Sequence, residues 1–144
     1  MAKYLILASR FNEMITKPLV DGALDVFNSR GFTADVDTTW VPGSFELPAT
    51  ANVAAKSNKY SAIVCIGAVI KGETPHFDYV CSQVASGLMN VSLKHELPVI
   101  FGVLTTNNVE EALNRAGLKM GNKGREAAEA ALEMTSTFSK FRES

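Results

Sequence analysis

The sequence predicts an α/β fold in which helices cover both faces of a parallel four-stranded sheet. Two patterns lead to this prediction: apolar runs of strand length recur four times, and a helix-like periodicity follows each of them. A chain of 144 residues with 47% hydrophobic and 20% charged residues is long and apolar enough for one buried core. No linker or low-complexity segment interrupts it, so residues 1–144 are expected to form a single domain.

Each predicted strand is an apolar run that ends at a turn or a polar segment. The four runs are Tyr4–Ala8, Phe32–Val41, Ala62–Ile70 and Pro98–Leu104. The third run is apolar throughout, which is typical of a parallel strand buried on both faces.

The predicted helices follow the strands one by one. The first is expected to begin at Pro18 and to end at Gly31, because proline favours the first helical turn and glycine the position after the last. The others are predicted at Phe45–Lys56, Phe77–Leu93, Val109–Ala116 and Lys123–Phe138. Successive βα units indicate a three-layer α/β/α sandwich of flavodoxin-like type.

The third predicted helix has no charged residue from Tyr79 to Leu93. A helix on the outside of a monomer normally carries charges on its solvent face. Its apolar positions, expected to face the sheet, are Val80, Val84, Leu88 and Val91. A separate stripe of small neutral polar groups consists of Ser82, Ser86 and Asn90. The alternative is that this face meets solvent and lacks charges by chance. We interpret this serine–asparagine stripe instead as a subunit interface.

Composition argues against several functions. The formal charge is −1 without a basic tract, so neither nucleic acid nor an anionic membrane is an expected partner. Met1–Leu7 is too short for a signal-peptide core, and no apolar stretch reaches the ~18 residues of a membrane span, which predicts a cytoplasmic protein. The spacing of Cys65 and Cys81 matches neither a zinc site nor a redox pair. His76 and His95 lie too far apart, without clustered carboxylates, to predict a metal site.

Aromatic and polar residues follow each predicted strand, where open parallel sheets bind their ligands. These segments are Ser9–Asn12, Trp40–Glu46, Lys71–His76 and Thr105–Asn107. Phe11 is suited to stack on a planar heterocycle, or equally to staple the start of a helix. Ser44 and Glu46 are suited to bind a polyol, although for Ser44 alone helix capping is the more ordinary interpretation. His76, at a junction of strand and helix, is expected to meet substrate.

An anion is the second kind of ligand that the sequence favours. Backbone N–H groups of Gly72, Glu73 and Thr74 precede a helix and suit a phosphate, which the Glu73 carboxylate opposes. Arg115 is suited either to complement a helix dipole or to bind phosphate. Neither a P-loop motif nor the dinucleotide-binding glycine pattern is present, so nucleoside triphosphates and dinucleotides lose support.

Five sequence blocks, in their order and spacing, resemble the lumazine synthases over nearly the whole chain. The blocks are Ser9–Asn12, Trp40–Pro48, Gly67–Tyr79, Pro98–Thr106, and Arg115–Gly117 with Gly121–Gly124. The resemblance implies condensation of 5-amino-6-(D-ribitylamino)uracil with 3,4-dihydroxy-2-butanone 4-phosphate. The product is 6,7-dimethyl-8-ribityllumazine, at the penultimate step of riboflavin synthesis.

The resemblance also implies roles for individual residues. Phe11 stacks on the pyrimidinedione, and His76 shuttles protons, as an imidazole can near neutral pH. The ribityl chain is held by Ser44, Phe45 and Glu46. The polar edge of the ring pairs with the backbone of Ala68, Val69 and Ile70. The phosphate is held by Arg115 and, chiefly through their backbone, by Glu73 and Thr74, with Lys123 as the alternative anion contact. Phe101 closes the pocket from a neighbouring subunit.

The implied partners are two small-molecule substrates and further copies of the chain. No metal or organic cofactor is implied, and the assembly is a pentamer or an icosahedral shell of pentamers with active sites at subunit interfaces. The chain starts directly at its first strand, whereas many family members have an extra amino-terminal segment that adds to a neighbour's sheet, so both assemblies stay open.

Three other classes of protein are the alternatives. A flavodoxin-like module that binds flavin or another phosphorylated heterocycle without turnover would not need His76. A response-regulator-like domain needs acidic residues where Ser9-Arg10 and Lys71-Gly72 stand. A shell protein without catalysis is the third, and it is compatible with the enzyme.

Overall fold

The computed structural model describes residues 2–72, 75–119 and 121–143. The strands within them are β1 (Tyr4–Ser9), β2 (Val36–Val41), β3 (Ala62–Ile70) and β4 (Val99–Thr106). The helices are α1 (Glu13–Ser29), α2 (Leu47–Lys56), α3 (His76–His95), α4 (Val109–Arg115) and α5 (Lys123–Arg142), and short 3₁₀ turns cover Thr33–Asp35 and Ser44–Glu46.

The strands form one parallel sheet in the order β2-β1-β3-β4, so the predicted fold class is confirmed. This is the strand order of a flavodoxin-like sheet without a fifth strand. The chain leaves β1 toward one edge to form β2 and then crosses to the other side of β1 to form β3. In doubly wound sheets ligands bind outside the carboxyl ends of the strands at this switch point.

Two apolar layers enclose the sheet. Along β1, Tyr4, Ile6 and Ala8 face the layer formed with α1, α4 and α5. Leu5 and Leu7 face the opposite layer, formed with α2 and α3. All six residues of β1 are buried, as a central parallel strand requires.

The predicted start of the first helix is wrong, because α1 begins at Glu13 and contains Pro18. The first turn is held by burial of Ile15 and by the Thr16 hydroxyl, which donates to the Ser9 carbonyl at 2.8 Å. These tertiary contacts outweigh the backbone hydrogen bond that proline cannot make within a helix. The earlier start brings the amino end of α1 next to the end of β1.

The start of the second strand is also later than predicted. Thr33–Asp35 forms a 3₁₀ turn, so β2 begins at Val36 rather than at Phe32. Phe32 instead places its ring 5.1 Å from that of Tyr4, in an edge-on contact. The remaining helices and strands lie within a few residues of their predicted limits.

The amino end of α5 is joined closely to α1. Asn122 caps α5 by accepting a hydrogen bond from the Arg125 N–H at 3.0 Å, and its amide donates to the Pro18 carbonyl at 3.1 Å. A Cβ on Gly124 would lie 1.8 Å from the carbonyl oxygen of Leu19, so only glycine permits this approach. The contact fixes Lys123, the first residue of α5, relative to α1.

The two faces predicted for the third helix are confirmed. The buried residues of α3 are Val80, Val84, Leu88 and Val91, whereas Ser82, Ser86 and Asn90 are exposed. That a second copy covers the serine–asparagine stripe stays a prediction. Across the described residues, no helix has the length and apolar character to traverse a bilayer.

Candidate functional site

An open cleft of about 790 Å³ lies at the carboxyl ends of β1 and β3. We call it the switch-point cleft. The predicted site residues that line it are Phe11, Ser44, Phe45, Glu46, Ala68, Val69, Ile70 and His76. They come from three separate stretches of sequence, which the parallel sheet brings to one edge.

Two exposed aromatic rings mark the mouth of the cleft. The side chain of Phe11 is 71% exposed and that of Phe45 is 59% exposed. The Phe11 backbone is fixed nonetheless, because its N–H donates to the Pro42 carbonyl at 3.0 Å. Such exposure excludes the helix-staple interpretation of Phe11, since a staple packs against the first helical turn. The ring is left available for stacking on a ligand.

Ser44 does not cap a helix, so the capping interpretation of this residue is wrong. The cap of the 3₁₀ turn is Gly43, and no side-chain hydrogen bond closes either that turn or the start of α2. Ser44 is only 7% exposed and lies in the cleft wall. Glu46 lies beside it, half-buried, with its carbonyl accepting from the Thr50 hydroxyl at 2.8 Å.

The end of β3 offers backbone groups to the cleft. The ladder between β1 and β3 stops at Ala8↔Ile66, whereas the ladder between β3 and β4 continues to Ile70↔Thr106. On the β1 side, the Ala68 carbonyl accepts a hydrogen bond from the Asn12 amide at 3.1 Å. Backbone polar groups alternate sides along a strand, so Ile70 presents its N–H and C=O to the same side as Ala68. The β1 ladder supplies no partner for them there.

Asn12 and Val109 are cleft residues that sequence reasoning did not assign to the site. Asn12 has a left-handed backbone, with φ 65°, just before α1. Asparagine tolerates this conformation better than most residues. An asparagine between a predicted strand and a predicted helix was therefore the sequence signal that could have identified Asn12. Val109 comes from the start of α4 and had no distinguishing signal in the sequence.

His76 is the first residue of α3 and is exposed on the cleft wall. Its neighbours Phe77 and Val80 add apolar lining on the same wall. Glu73 and Thr74, the predicted phosphate contacts, lie outside the described residues.

The remaining predicted residues lie in another cavity, a hollow of about 350 Å³ beside the edge strand β4. Its lining includes Phe101, Thr105, Arg115, Lys123 and Glu126, and we call it the β4 hollow. Arg115 ends α4, and its guanidinium donates to the Glu111 carbonyl in a long 3.4 Å contact. Neither Arg115 nor Lys123 belongs to an ion pair of the described residues.

The two cavities offer different chemistry. Exposed rings, a serine and a carboxylate suit a planar heterocycle that carries hydroxyl groups. An arginine and a lysine suit an anion such as phosphate, despite the nearby Glu126 carboxylate. Within one chain, Arg115 and His76 therefore line different cavities, although the resemblance to the lumazine synthases implies that both act in one site.

Thiol and metal chemistry find little support in the described residues. Burial raises the pKa of the Cys65 thiol to about 12, so it is protonated at neutral pH. Burial also raises the pKa of Cys81. Within the described ranges, no three His, Cys, Asp or Glu residues are grouped so as to hold a metal ion.

Comparison with known proteins extends over nearly the whole chain. A family model described as 6,7-dimethyl-8-ribityllumazine synthase matches residues 1–139. A 6,7-dimethyl-8-ribityllumazine synthase of Protochlamydia amoebophila (strain UWE25) is 54% identical over 134 residues. That alignment covers 92% of this chain and 78% of the relative. The family match therefore includes the strand ends that form the two cavities.

Proposed function

The chain belongs to the 6,7-dimethyl-8-ribityllumazine synthase family, and we propose that each of its active sites combines the switch-point cleft of one copy with the β4 hollow of another. The reaction condenses 5-amino-6-(D-ribitylamino)uracil with 3,4-dihydroxy-2-butanone 4-phosphate and releases phosphate and water. It is the penultimate step of riboflavin biosynthesis.

The proposal of a shared site rests on the separation of the cationic residues Arg115 and Lys123 from the cleft. The hollow lies beside β4 at the edge of the sheet, whereas the cleft lies at the β1/β3 switch point. A head-to-tail contact between copies brings one surface of a chain to a different surface of the next, and such contacts form a ring when the rotation between copies closes. Each copy then contributes both halves, but to two different sites.

The ribitylaminouracil belongs in the switch-point cleft. Phe11 offers an exposed ring face for the pyrimidinedione, and the Ile70 backbone offers an N–H and a C=O to its polar edge. Ser44 and Glu46 meet the ribityl hydroxyl groups with one hydroxyl and one carboxylate.

The butanone phosphate places its anion against the β4 hollow of the neighbouring copy. Arg115 presents a planar donor pair that matches two phosphate oxygens, and Lys123 adds a point charge. Phosphate is also a leaving group here, so these cations stabilise charge that develops as its bond to carbon breaks. Backbone groups of Glu73 and Thr74 are proposed to complete the contact.

His76 is proposed to move protons between the two substrates. The uracil amine attacks the ketone and water leaves, phosphate is then eliminated, and the second amine closes the ring with loss of water. Each step needs a proton delivered or removed, and imidazole does both near neutral pH. Holding the two reactants together accounts for much of the acceleration, an effect that reaches roughly 7–11 kcal/mol in ideal cases.

The reaction is tested by mixing the purified protein with both substrates and recording the absorbance and fluorescence of the lumazine product. Formation of product at a rate above the unaided reaction is expected. A protein that binds a flavin and forms no lumazine would instead point to a non-catalytic binding module.

The shared site is tested by complementation. We expect Phe11→Ser and Arg115→Ala each to be weakly active alone, because each spoils one half of every site. Coassembly of the two variants should restore about a quarter of the sites, those that combine the intact cleft of one copy with the intact hollow of another. Activity that stays at the average of the two variants would place both halves within one chain.

We further propose that α3 packs against a neighbouring copy through the serine–asparagine stripe, in a pentamer or a shell of pentamers. Ser86 is exposed in the single chain, and its replacement by Glu would place a charge in every copy of the contact. Sedimentation of Ser86→Glu should show a smaller species that has lost most activity. A variant that keeps the mass of the unmodified protein would exclude this face from the interface.

A further inference from the structure

Ser9, the last residue of β1, has a buried hydroxyl without a hydrogen-bond partner among the described residues. The residue is 0% exposed. Its carbonyl is occupied by the Thr16 hydroxyl at 2.8 Å, so only the side chain lacks a partner. Buried hydroxyls in native structures are nearly always bonded, and an exception calls for an explanation.

The hydroxyls of Ser9 and Ser44 both lie close to Gly67. Gly67, in β3, has no side chain, and an ideal Cβ there would lie 3.2 Å from Ser9 Oγ and 2.4 Å from Ser44 Oγ. Both hydroxyl oxygens therefore lie within 3.2 Å of one point. A methyl group at position 67 would take the space that the two serines share.

Only one of the two serines reaches the switch-point cleft. Ser44 lines it, whereas Ser9 does not. A ligand in the cleft can therefore contact Ser44 directly and Ser9 only through Ser44. A serine hydroxyl donates one hydrogen bond and accepts two, so Ser44 can donate to a ligand while it accepts from Ser9.

We propose that Ser9 is a positioning residue that orients the Ser44 hydroxyl toward the polyol chain of the uracil substrate. The proposal rests on the proposed function, in which Ser44 meets the ribityl chain. When Ser44 donates to a ribityl hydroxyl, the Ser9 hydroxyl donates to Ser44 Oγ and gains a hydrogen-bond partner. Gly67 is required because any larger residue separates the pair.

The test is a calorimetric titration of the protein with 5-amino-6-(D-ribitylamino)uracil, which does not depend on turnover. Ser9→Ala is expected to weaken binding roughly three- to tenfold, the size of one net hydrogen bond. Gly67→Ala, which displaces the Ser44 hydroxyl, should weaken binding at least as much. 5,6-Diaminouracil, which lacks the polyol, should bind Ser9→Ala and unmodified protein equally.

Two further variants separate positioning from a structural role. A double-mutant cycle with Ser44→Ala should show that Ser9→Ala has almost no further effect once the Ser44 hydroxyl is absent. Ser92→Ala, which removes a hydroxyl that bonds the Leu97 carbonyl at the far end of α3, should lower the melting temperature and leave ribityl binding unchanged.

Other results would contradict the inference or the proposed function. If Ser9→Ala leaves the Kd unchanged, or weakens both uracils alike, Ser9 does not act on the polyol and the inference is wrong. If the unmodified protein binds the ribitylated uracil but forms no lumazine, the proposed function fails while the serine pair is still tested by binding.

Discussion

The side chains at the two ends of the sheet differ in whether they have partners within the fold. At the amino ends of the strands, polar side chains are paired: the Tyr60 hydroxyl donates to Asp37 at 2.7 Å, and Lys3 lies 3.4 Å from the same carboxylate. At the carboxyl ends, Ser9 has a buried hydroxyl without a partner in the described residues, and Phe11 exposes its ring. Paired groups stabilise a fold, whereas an exposed ring can contact a ligand directly and an unpaired buried hydroxyl can act on it through a neighbour. We therefore expect substitutions at the carboxyl ends to change kinetics and those at the amino ends to change stability.

The largest effect is expected from Arg115→Ala. A bidentate contact between charges contributes about 1.5–3 kcal/mol, so the variant should raise the KM for the butanone phosphate roughly ten- to a hundredfold. The KM for the uracil substrate should be nearly unchanged when the phosphate substrate is saturating. Inorganic phosphate should compete with the butanone phosphate in the unmodified enzyme and far less in the variant.

Arg115→Lys is the control for charge alone, and it should recover only part of the loss because a lysine lacks the planar donor pair. If Arg115 only complements the dipole of α4, the alanine variant should instead lose about 0.3–1 kcal/mol of stability and affect both substrates alike. The anion would then be sought at Lys123.

Sequence reasoning, together with the resemblance to the lumazine synthases, was sufficient for the parallel sheet and for most residues of the switch-point cleft, but it missed Asn12 and Val109. Long apolar runs such as Ala62–Ile70 indicate buried parallel strands without knowledge of tertiary contacts, and parallel strands bring their carboxyl ends to one edge. The first residue of α1 was not predictable, because burial of Ile15 and the bond from Thr16 to the Ser9 carbonyl depend on residues that meet only in the fold.

The division of the site between two cavities could not be predicted from the residues alone either. No local pattern around Arg115 indicates that it faces a hollow at the sheet edge rather than His76, since that depends on the path of α4 beside β4. Only the resemblance implied a contribution from another subunit. The capping interpretation of Ser44 failed for a related reason, because the short 3₁₀ turn places its hydroxyl against Gly67.

The second prediction concerns Phe11, the most exposed aromatic residue of the cleft. Stacking of a base on an aromatic ring contributes about 1–3 kcal/mol, and an exposed ring such as that of Phe11 belongs to the lower part of this range, so Phe11→Ser should lower kcat/KM for the uracil substrate by roughly five- to thirtyfold. Phe11→Tyr should keep most of the activity because it keeps the ring. Because the ring is mostly exposed, the melting temperature of Phe11→Ser should change little; a large decrease would show that Phe11 belongs to the core.

A smaller effect is expected from His76→Ala. Loss of a general acid–base typically costs about 10²–10⁴-fold, but two reactants that condense unaided need mainly to be held together. We therefore expect kcat to fall only about three- to tenfold, with both KM values nearly unchanged. Unchanged turnover at every pH would remove the proton-shuttle role of His76.

The smallest effect, and one confined to stability, is expected at the amino ends of the strands. The hydrogen bond from Tyr60 lowers the pKa of Asp37, and burial together with that bond raises the pKa of Tyr60 to about 12 from its usual value near 10. The Tyr60 contribution is thus fully present below pH ~10 and is lost as the pH rises through about 12. The Asp37 contribution is present above its unfolded pKa near 3.9 and is lost as the pH falls through its lowered folded value.

Tyr60→Phe keeps the ring and removes only the hydroxyl, so it should cost about 1 kcal/mol in urea unfolding at neutral pH, because the Asp37 carboxylate is partly exposed. The difference from the unmodified protein should shrink as the pH rises from about 10 toward 12, where the unmodified protein loses the Tyr60 contribution. Asp37→Asn, which keeps an acceptor for the hydroxyl, is the matched control and should lose less stability. Both variants should keep the KM values for the two substrates. A kinetic change in Tyr60→Phe comparable to that of His76→Ala would show that the two ends of the sheet are not independent, and the contrast between a stabilising end and a binding end would then fail.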